Sequence, residues 1–295
     1  MSTSAAVLAV PSQSFEIRPL AAPLGAEVLG IDVGRPLSSA EFDRIHQAFL
    51  QHGLLIFRDQ HLTPAQQIAF SRLWGELLIH VLKQFQLPGH PEVFVISNIV
   101  EQGKPIGLAD AGKFWHSDLS YVAPPSLGAI LYAQELPEEG GDTLFASQQQ
   151  AYDALPESLR RRIEGLRAVH SYTSRYAEEV FSGVVRPTLS EAQRESVREV
   201  VHPVVRTHPE TGRKGLFVNA NFTTHIVDLP AHESRQLLDE LFARSIHPQF
   251  IYRHRWQPND LLFWDNRALI HLATGCPSHL RRRLHRTTIA GEAAF

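Results

Sequence analysis

Disulfide frameworks, membrane-length apolar runs and an excess of basic residues are all missing from this 295-residue sequence. The single cysteine, Cys276, excludes an internal disulfide framework and any zinc site built from cysteines alone, and so little cysteine favours the cytoplasm. No stretch reaches the roughly 18 apolar residues of a membrane span. Lysine and arginine total 28 against 31 aspartates and glutamates, so the formal net charge is −3 and nucleic acid is not expected as the main partner.

The sequence also lacks internal repeats and low-complexity linkers, so we expect one domain. Residues 1–14 are rich in alanine and serine and contain no lysine or arginine, unlike the charged start of a secretory signal. We therefore expect a disordered leader over residues 1–14 and a single domain over residues 15–295. Hydrophobic residues make up 43% of the chain, which is enough to build a buried core.

Hydrophobic periodicity predicts several helices. Ser38 and Glu41 form a capping box ahead of an apolar stripe, and Gly53 ends that helix. The other predicted helices cover residues 63–74, residues 151–166 with an interruption at Pro156, and residues 230–245.

Short apolar runs predict β-strands elsewhere in the chain. The expected strands cover residues 15–33, 54–57, 93–97, 128–132, 204–206, 216–218, 249–256, 260–264 and 283–289. Residues 172–200 are polar and irregular, which is typical of a lid or an insertion. Because βαβ alternation and a phosphate-binding glycine motif are both missing, a nucleotide-binding sheet is disfavoured. We predict an α+β protein built on a β-sandwich or barrel.

Sixteen histidines are an unusual feature of the composition, and they direct attention to metal ligands. Residues i and i+2 of an extended backbone point to the same face, so His116 and Asp118 could present a nitrogen and a carboxylate to one ion. Such a His-x-Asp triplet is also common in solvated loops. The C-terminal half strengthens the metal interpretation, because His271 is followed by an arginine cluster that ends at Arg286.

Two histidines and one carboxylate leave metal positions open, as in non-haem Fe(II) oxygenases. Zinc is more often held by a closed set of ligands or by three ligands and a water. A nearby arginine has a use in such a site, because the far carboxylate of the co-substrate 2-oxoglutarate needs a bidentate cation. Arg286 lies 15 residues after His271, which leaves room for a turn and a returning strand.

Several segments together resemble the TauD/TfdA (taurine dioxygenase) family of Fe(II)- and 2-oxoglutarate-dependent dioxygenases. The segments are residues 25–27, 57–60, 115–118, 140–143, 202–209, 217–219, 264–267 and 271–286. The similarity spans about residues 15–291 and is specific as a set. It implies a double-stranded β-helix, or jelly-roll, core with flanking helices. It also implies a reaction that consumes 2-oxoglutarate and O₂ and releases succinate and CO₂.

The resemblance implies roles for individual residues. His116, Asp118 and His271 match the iron ligands. The residues that match the 2-oxoglutarate site are Thr143, Arg282 and Arg286, and a hydroxyl and guanidinium groups suit a carboxylate in an apolar pocket. The residues that match the substrate pocket are His80, Lys83, Leu119, Tyr121, Tyr176, Phe222 and Arg286. Members of the family are commonly dimers or tetramers, so a homo-oligomer is expected.

The sequence predicts a small organic anion as the substrate and leaves its identity open. A taurine-like or other alkyl sulfonate, cleaved to sulfite and an aldehyde, is the first expectation, because His80 matches a sulfonate-binding histidine. Two departures from taurine enzymes are Lys83 for a tyrosine, which could pair with an anion, and Gly112 for an asparagine, which removes a polar contact. Residues 96–98, 115–118 and 250–256 resemble instead the chlorophenoxyacetate dioxygenases of the same family. The alternatives are therefore an aryloxyalkanoate, an alkyl sulfate or an amino-acid-like compound. An inactive jelly-roll binding module is a further alternative, against which the intact ligand set argues.

Overall fold

A computed structural model describes residues 13–109, 111–173 and 189–295. The α-helices are α1 (Ser39–His52), α2 (Pro64–Arg72), α3 (Gln148–Asp153), α4 (Glu157–Ile163), α5 (Glu191–Ser196) and α6 (Ala231–Ser245), and short 3₁₀ turns span Lys83–Phe85 and Pro248–Phe250. The strands are β1 (Glu16–Pro19), β2 (Ala26–Leu29), β3 (Leu54–Phe57), β4 (Leu77–Leu78), β5 (Gln86–Leu87), β6 (His90–Ser97), β7 (Val100–Glu101), β8 (Lys104–Pro105), β9 (Gly128–Glu135), β10 (Thr143–Ser147), β11 (Arg167–His170), β12 (Val200–Pro203), β13 (Val205–Thr207), β14 (Lys214–Leu216), β15 (Thr223–Ile226), β16 (Ile251–His254), β17 (Leu261–Asp265), β18 (Leu269–Ala273) and β19 (Arg283–Ile289). None of these helices is long and apolar enough to cross a bilayer.

Two sheets of unequal size form the centre of the fold. The large sheet runs in the order β1-β2-β3-β17-β9-β19-β6-β5, with β4 also pairing to β19, and the small sheet runs in the order β16-β10-β18. Among the described strands, β2 and β3 are the parallel pair, and the other pairings are antiparallel. The predicted α+β class is confirmed, and the two packed sheets are what a jelly-roll core requires.

Apolar side chains fill both faces of the large sheet. Between the two sheets, Phe145 of the small sheet and Trp264 of the large sheet belong to one buried cluster, with ring centroids 5.6 Å apart. On the other face, α1 and α2 cover a second cluster in which Phe49 stacks on Phe263 at 4.0 Å. Since β17 is buried on both faces, its apolar residues run continuously rather than alternating.

Helix α1 forms as its sequence predicts. Ser38 accepts a hydrogen bond from the Glu41 N–H, and the Glu41 carboxylate accepts one from the Ser38 N–H, which completes the capping box. Gly53 ends the helix with φ at +70°, a conformation that glycine adopts without a steric penalty. Strand β3 follows at once and enters the large sheet between β2 and β17.

Three local predictions are corrected by the structure. The strand expected at residues 216–218 lies at Lys214–Leu216, because Gly215 pairs with Arg206 in a two-stranded hairpin. The region expected to be irregular, residues 172–200, contains helix α5. Ser190 and Gln193 form its capping box, but the residues that follow lack the apolar periodicity from which a helix is predicted. Gln13, assigned to the leader, hydrogen-bonds to the backbone of Asp32.

Candidate metal centre

The three predicted metal ligands lie together between the two sheets. His116 and Asp118 precede β9, and His271 is the central residue of β18. The backbones of His116 and His271 pair directly, with N···O distances of 3.1 and 2.8 Å. This antiparallel bridge joins two distant parts of the chain, and the possible ligand atoms of the three residues all lie within 4.8 Å of one another. All three side chains are buried.

Hydrogen bonds orient the proposed ligands and leave nitrogen and oxygen atoms available to bind a metal ion. His116 Nδ1 lies 2.8 Å from the carbonyl oxygen of Phe114, so this nitrogen carries the proton and Nε2 faces Asp118 Oδ1 at 3.6 Å. Among the described residues, Asp118 Oδ2 is buried without a hydrogen-bond partner, and His271 presents Nε2 to it at 3.9 Å. Buried polar atoms without partners are costly, and a bound cation would satisfy such atoms. The cluster therefore fits a divalent metal ion.

The electrostatics of the cluster favour the protonation states that a metal needs. Burial alone would raise the pKa of Asp118, but Arg286 and the two histidines hold it well below its ordinary value. Burial, with a further contribution from His116, lowers the pKa of His271 well below its ordinary value. At neutral pH, Asp118 is thus ionised and His271 is neutral, as coordination requires.

Asn266 fixes the segment that carries two of the ligands. Its carbonyl oxygen accepts a hydrogen bond from Ser117 Oγ at 2.9 Å, and its side-chain amide donates to Ser126 Oγ at 2.9 Å. Ser126 in turn donates to the backbone oxygen of Asp118 at 2.7 Å. Asn266 belongs to a motif that the sequence singled out, but its role as an anchor for residues 117–118 follows only from these contacts.

One cavity next to the ligands is lined by two arginines and a threonine, and we call it the arginine cavity. Its remaining lining residues are Ile96, Ala111, Gly112, His116, Leu131, Trp264, His271, Ala273 and Leu284. Thr143 and Arg282, both predicted, are brought together here with Arg286. Burial lowers the pKa of Arg282 to about 10, so the guanidinium remains a cation at neutral pH. Its Nε is buried without a hydrogen-bond partner among the described residues, which is suited to an anionic ligand.

Arg286 stands between this cavity and the metal ligands. Its Nη1 donates to Asp118 Oδ1 at 2.7 Å, and its guanidinium lies 5.3 Å from the ring centroid of Phe94. Leu284 and Arg286 alternate along β19 and face the same side of the sheet, and Arg282, just before the strand, lines the same cavity. The two arginines therefore line one cavity, but only Arg286 contacts a metal ligand.

A second cavity on the other side of Arg286, the aromatic cavity, contains most of the predicted substrate residues. Its lining is His80, Phe94, Leu108, Ala111, Gly112, His116, Asp118, Leu119, Tyr121, Tyr172, Asn221, Phe222 and Arg286. The rings of Tyr121 and Phe222 are 4.7 Å apart, and Phe222 meets His116 edge-on at 6.0 Å. The structure adds Asn221, the sequence neighbour of Phe222, and two residues from other segments, Phe94 and Tyr172.

Two of the predicted substrate residues are not placed in the aromatic cavity. Lys83 is exposed at the start of a 3₁₀ turn and lines a larger neighbouring space instead. Tyr176 lies outside the described residues. Gly112, the departure noted in the sequence, lines both the arginine and the aromatic cavity with φ at +81°. A Cβ here would be strained by this φ and would also lie 3.4 Å from His116 Cε1.

A buried hydrogen-bond network behind the aromatic cavity was not predicted. His170 is fully buried, and its Nδ1 lies 3.2 Å from Ser120 Oγ, next in sequence to Leu119 and Tyr121. Asn219 donates to the same Ser120 oxygen at 3.1 Å and accepts from the N–H of Phe222 at 2.9 Å. The network therefore joins two walls of the cavity, since Tyr121 and Phe222 each adjoin a residue that it holds.

Comparison with known proteins identifies the family. The family model described as "Taurine catabolism dioxygenase TauD, TfdA family" matches residues 16–288. This chain belongs to that family. It is 38% identical, over 95% of its length and 99% of the relative's, to the alpha-ketoglutarate-dependent 2,4-dichlorophenoxyacetate dioxygenase of Cupriavidus pinatubonensis. It is 34% identical, over 96% and 97% of the two lengths, to the (S)-phenoxypropionate/alpha-ketoglutarate-dioxygenase of Sphingobium herbicidovorans.

A solved structure supports the same assignment. The crystal structure of a taurine dioxygenase from Burkholderia xenovorans is 33% identical and superposes with a TM-score of 0.79, covering 95% of this chain and 91% of that one. Together with the named relatives, the family assignment makes this protein a 2-oxoglutarate-dependent dioxygenase. It is an oxidoreductase that incorporates O₂ and releases succinate and CO₂.

Replacement of one ligand should abolish metal binding. We expect the wild-type chain to bind one divalent ion and the His116→Ala variant to lose it, because the two remaining ligands cannot hold the ion in place of water. Iron content after anaerobic loading, measured by mass spectrometry, checks this, with succinate formation as a second readout. His46→Ala on α1, outside the cluster, is the matched control and should keep its iron. An iron-loaded, active His116→Ala protein would contradict the ligand assignment.

The buried His170 should make stability depend on pH. Burial, with a smaller contribution from His202, lowers its pKa to about 3, whereas an unfolded histidine titrates near 6.5. The unfolded chain therefore binds an extra proton below about pH 6.5, and stability falls as the pH drops from there towards 3. In urea unfolding at pH 5–6, His170→Asn should reduce this slope by about 1 kcal/mol per pH unit.

The control for this measurement is His232→Asn, whose side chain is 78% exposed on α6. Because its surroundings differ little between the folded and unfolded chain, the control should keep the wild-type slope. An unchanged slope in His170→Asn would show that this histidine is protonated in the folded protein.

Proposed function

We propose that this dioxygenase uses Fe(II) held by His116, Asp118 and His271 to hydroxylate an aryloxyalkanoate-like organic anion. The observation that carries the proposal is the buried triad, whose possible ligand atoms lie within 4.8 Å of one another between a cavity lined by arginines and one lined by aromatic rings. Two histidines and a carboxylate favour Fe(II) and leave positions for other ligands. The bound ion would supply the activation of O₂ that couples decarboxylation of 2-oxoglutarate to oxygen insertion.

The arginine cavity suits the distal carboxylate of 2-oxoglutarate, because its volume of about 30 Å³ accommodates that end of the molecule and not the whole. Arg282 and Thr143 lie at its far side, where a guanidinium and a hydroxyl can bind the distal carboxylate. Trp256 donates to Thr143 Oγ1 at 3.1 Å, so this oxygen accepts from the indole and its own proton is free to donate. The sequence pointed to Arg286 for the distal carboxylate, but its contact with Asp118 suits the end of the molecule nearest the metal. We therefore assign the distal carboxylate to Arg282.

The aromatic cavity suits an anion with an apolar body. Its rings and aliphatic side chains surround Arg286 and His80, which can bind a carboxylate. Among the described residues that line it, Asp118 is the only carboxylate, and that group is committed to the metal site. The ammonium group of taurine would therefore have no counter-ion in this cavity. The names of two relatives, a 2,4-dichlorophenoxyacetate dioxygenase and a phenoxypropionate dioxygenase, support the same substrate class.

The side chains of the aromatic cavity would direct the reaction. Leu119, Tyr121 and Phe222 exclude water from the reacting carbon, while Arg286 holds the carboxylate and so fixes which C–H bond faces the metal side of the cavity. Hydroxylation of the carbon next to the ether oxygen gives a hemiacetal. That product breaks its C–O bond to release a phenol and a keto acid or aldehyde acid.

An alkyl sulfonate is the second candidate substrate. His80 stacks on Phe94 with ring centroids 4.2 Å apart and lines the aromatic cavity together with Arg286. A histidine and an arginine can bind a sulfonate as well as a carboxylate. Hydroxylation of the carbon that bears the sulfonate would release sulfite and an aldehyde.

Removing the charge of Arg282 should weaken 2-oxoglutarate binding selectively. We expect Arg282→Met to raise the KM for 2-oxoglutarate by about 10- to 100-fold, which corresponds to the loss of a charge-assisted hydrogen bond of about 1.5–3 kcal/mol. Arg281→Met is the matched control, because the guanidinium of Arg281 is exposed and pairs with Glu135. Succinate release at saturating substrate, measured over a range of 2-oxoglutarate concentrations, gives this KM for both variants. An unchanged KM in Arg282→Met would reject the assignment.

A substrate panel tests the proposed function itself. The Fe(II)-loaded protein with 2-oxoglutarate is given phenoxyacetate, 2-phenoxypropionate, taurine, butanesulfonate and an alkyl sulfate. We expect phenol release to match succinate release one to one with the phenoxy acids, because hydroxylation and decarboxylation are coupled. Sulfite release with butanesulfonate would favour the second candidate. Succinate without any organic product in the whole panel would reject both substrate classes.

A further inference from the structure

The aromatic cavity is too small to enclose an entire aryloxyalkanoate. Its volume is about 50 Å³, and one water-sized group needs roughly 10–15 Å³ of such space. It has room for about four such groups, which corresponds to the anion and the carbon beside it. The rest of any larger substrate must extend beyond this cavity.

A much larger space begins where the aromatic cavity ends, and we call it the outer chamber. Its volume is about 900 Å³, and it shares His80, Leu119 and Tyr121 with the aromatic cavity. Its other walls are the end of β19 at Ala290, the segment of residues 122–124 and helix α5. The two spaces therefore adjoin at these three side chains.

Most of the surface of the outer chamber is apolar, although His80 and Lys83 also line it, and two of its polar side chains make hydrogen bonds to the backbone. Gln193 donates to the backbone oxygen of Val81 at 2.8 Å and accepts from the N–H of Ser190 at 2.8 Å. Ser196 Oγ donates to the backbone oxygen of Gln193 at 2.8 Å. Ile79 also lines the chamber, where it adds aliphatic surface and is 54% exposed.

We propose that the outer chamber binds an extended apolar tail of the substrate. The substrate is then an elongated amphipathic anion, with its charged head beside Arg286 and its alkyl or aryl tail running past Tyr121 and along α5. This inference rests on the proposed function for the position of the head. The inference goes beyond the proposed function because neither the metal ligands nor the aromatic cavity specifies a tail. Binding the tail would cover Ile79 and remove the chamber walls from water.

A series of probes with one head and a growing tail tests the proposal. The probes are phenoxyacetate and its 4-methyl, 4-butyl and 4-hexyl derivatives, which keep the anion and the reacting carbon constant. Calorimetric titration of the Fe(II)- and 2-oxoglutarate-loaded protein under nitrogen gives Kd without turnover. We expect Kd to fall by about 2- to 4-fold for each methylene that is buried, with a heat-capacity change that becomes more negative along the series.

Two variants test whether the tail of the probe binds in the outer chamber. Ala192→Trp on α5 fills part of the chamber, and we expect it to reduce the ratio of Kd between phenoxyacetate and its 4-hexyl derivative by at least about 10-fold. Ser196→Trp, also at the chamber wall, provides a second variant should the first fail to fold. Ala231→Trp at the exposed start of α6 is the matched control and should keep the wild-type ratio.

The outcomes separate this inference from the proposed function. A wild-type Kd that does not change with tail length overturns the inference, whether or not phenol is released. A tail effect that both chamber variants leave intact also overturns it, because the tail then binds elsewhere. A tail effect that the variants remove, without phenol from any probe, supports the chamber and rejects the aryloxyalkanoate chemistry.

Discussion

The backbone bridge between His116 and His271 is the interaction on which the site depends. It joins residues 155 positions apart in the sequence with two hydrogen bonds of 3.1 and 2.8 Å, and it does so between the sheets, where unpaired backbone groups would be costly. Every other component is placed relative to it. Asn266 secures the segment around Asp118, β19 carries the arginines past it, and both cavities open against its side chains.

The parts of this site that could be predicted from sequence have a local pattern. His116 and Asp118 show the two-residue spacing of an extended chain, and the capping box at Ser38 contains both of its partners within four residues. Arg286 falls in the apolar run that predicts a strand over residues 283–289, whereas Arg282 was identified only through the resemblance to the family. The remaining proposed ligand, His271, was identified from the segments that match the family, because no periodicity in the sequence links it to His116.

What the sequence could not predict is set by contacts between distant segments. His170, Ser120 and Asn219 are individually unremarkable polar residues, and only the folded chain brings them into one buried network. The division of labour between Arg282 and Arg286 depends on which of them reaches Asp118, a matter of a few ångströms. The size of the space beyond Tyr121 likewise follows from the packing of α5, whose segment was expected to be irregular.

The ion pair between Arg286 and Asp118 has a consequence for the binding free energies of the molecules that occupy the site. One guanidinium contacts Asp118 and lines both cavities, so in the proposed site metal, co-substrate and substrate would all alter the electrostatic environment of the same group. Their binding free energies are then linked, and linkage is reciprocal: whatever the co-substrate does to the affinity for the substrate, the substrate does to the affinity for the co-substrate. A single side chain thus makes the three binding events one thermodynamic cycle.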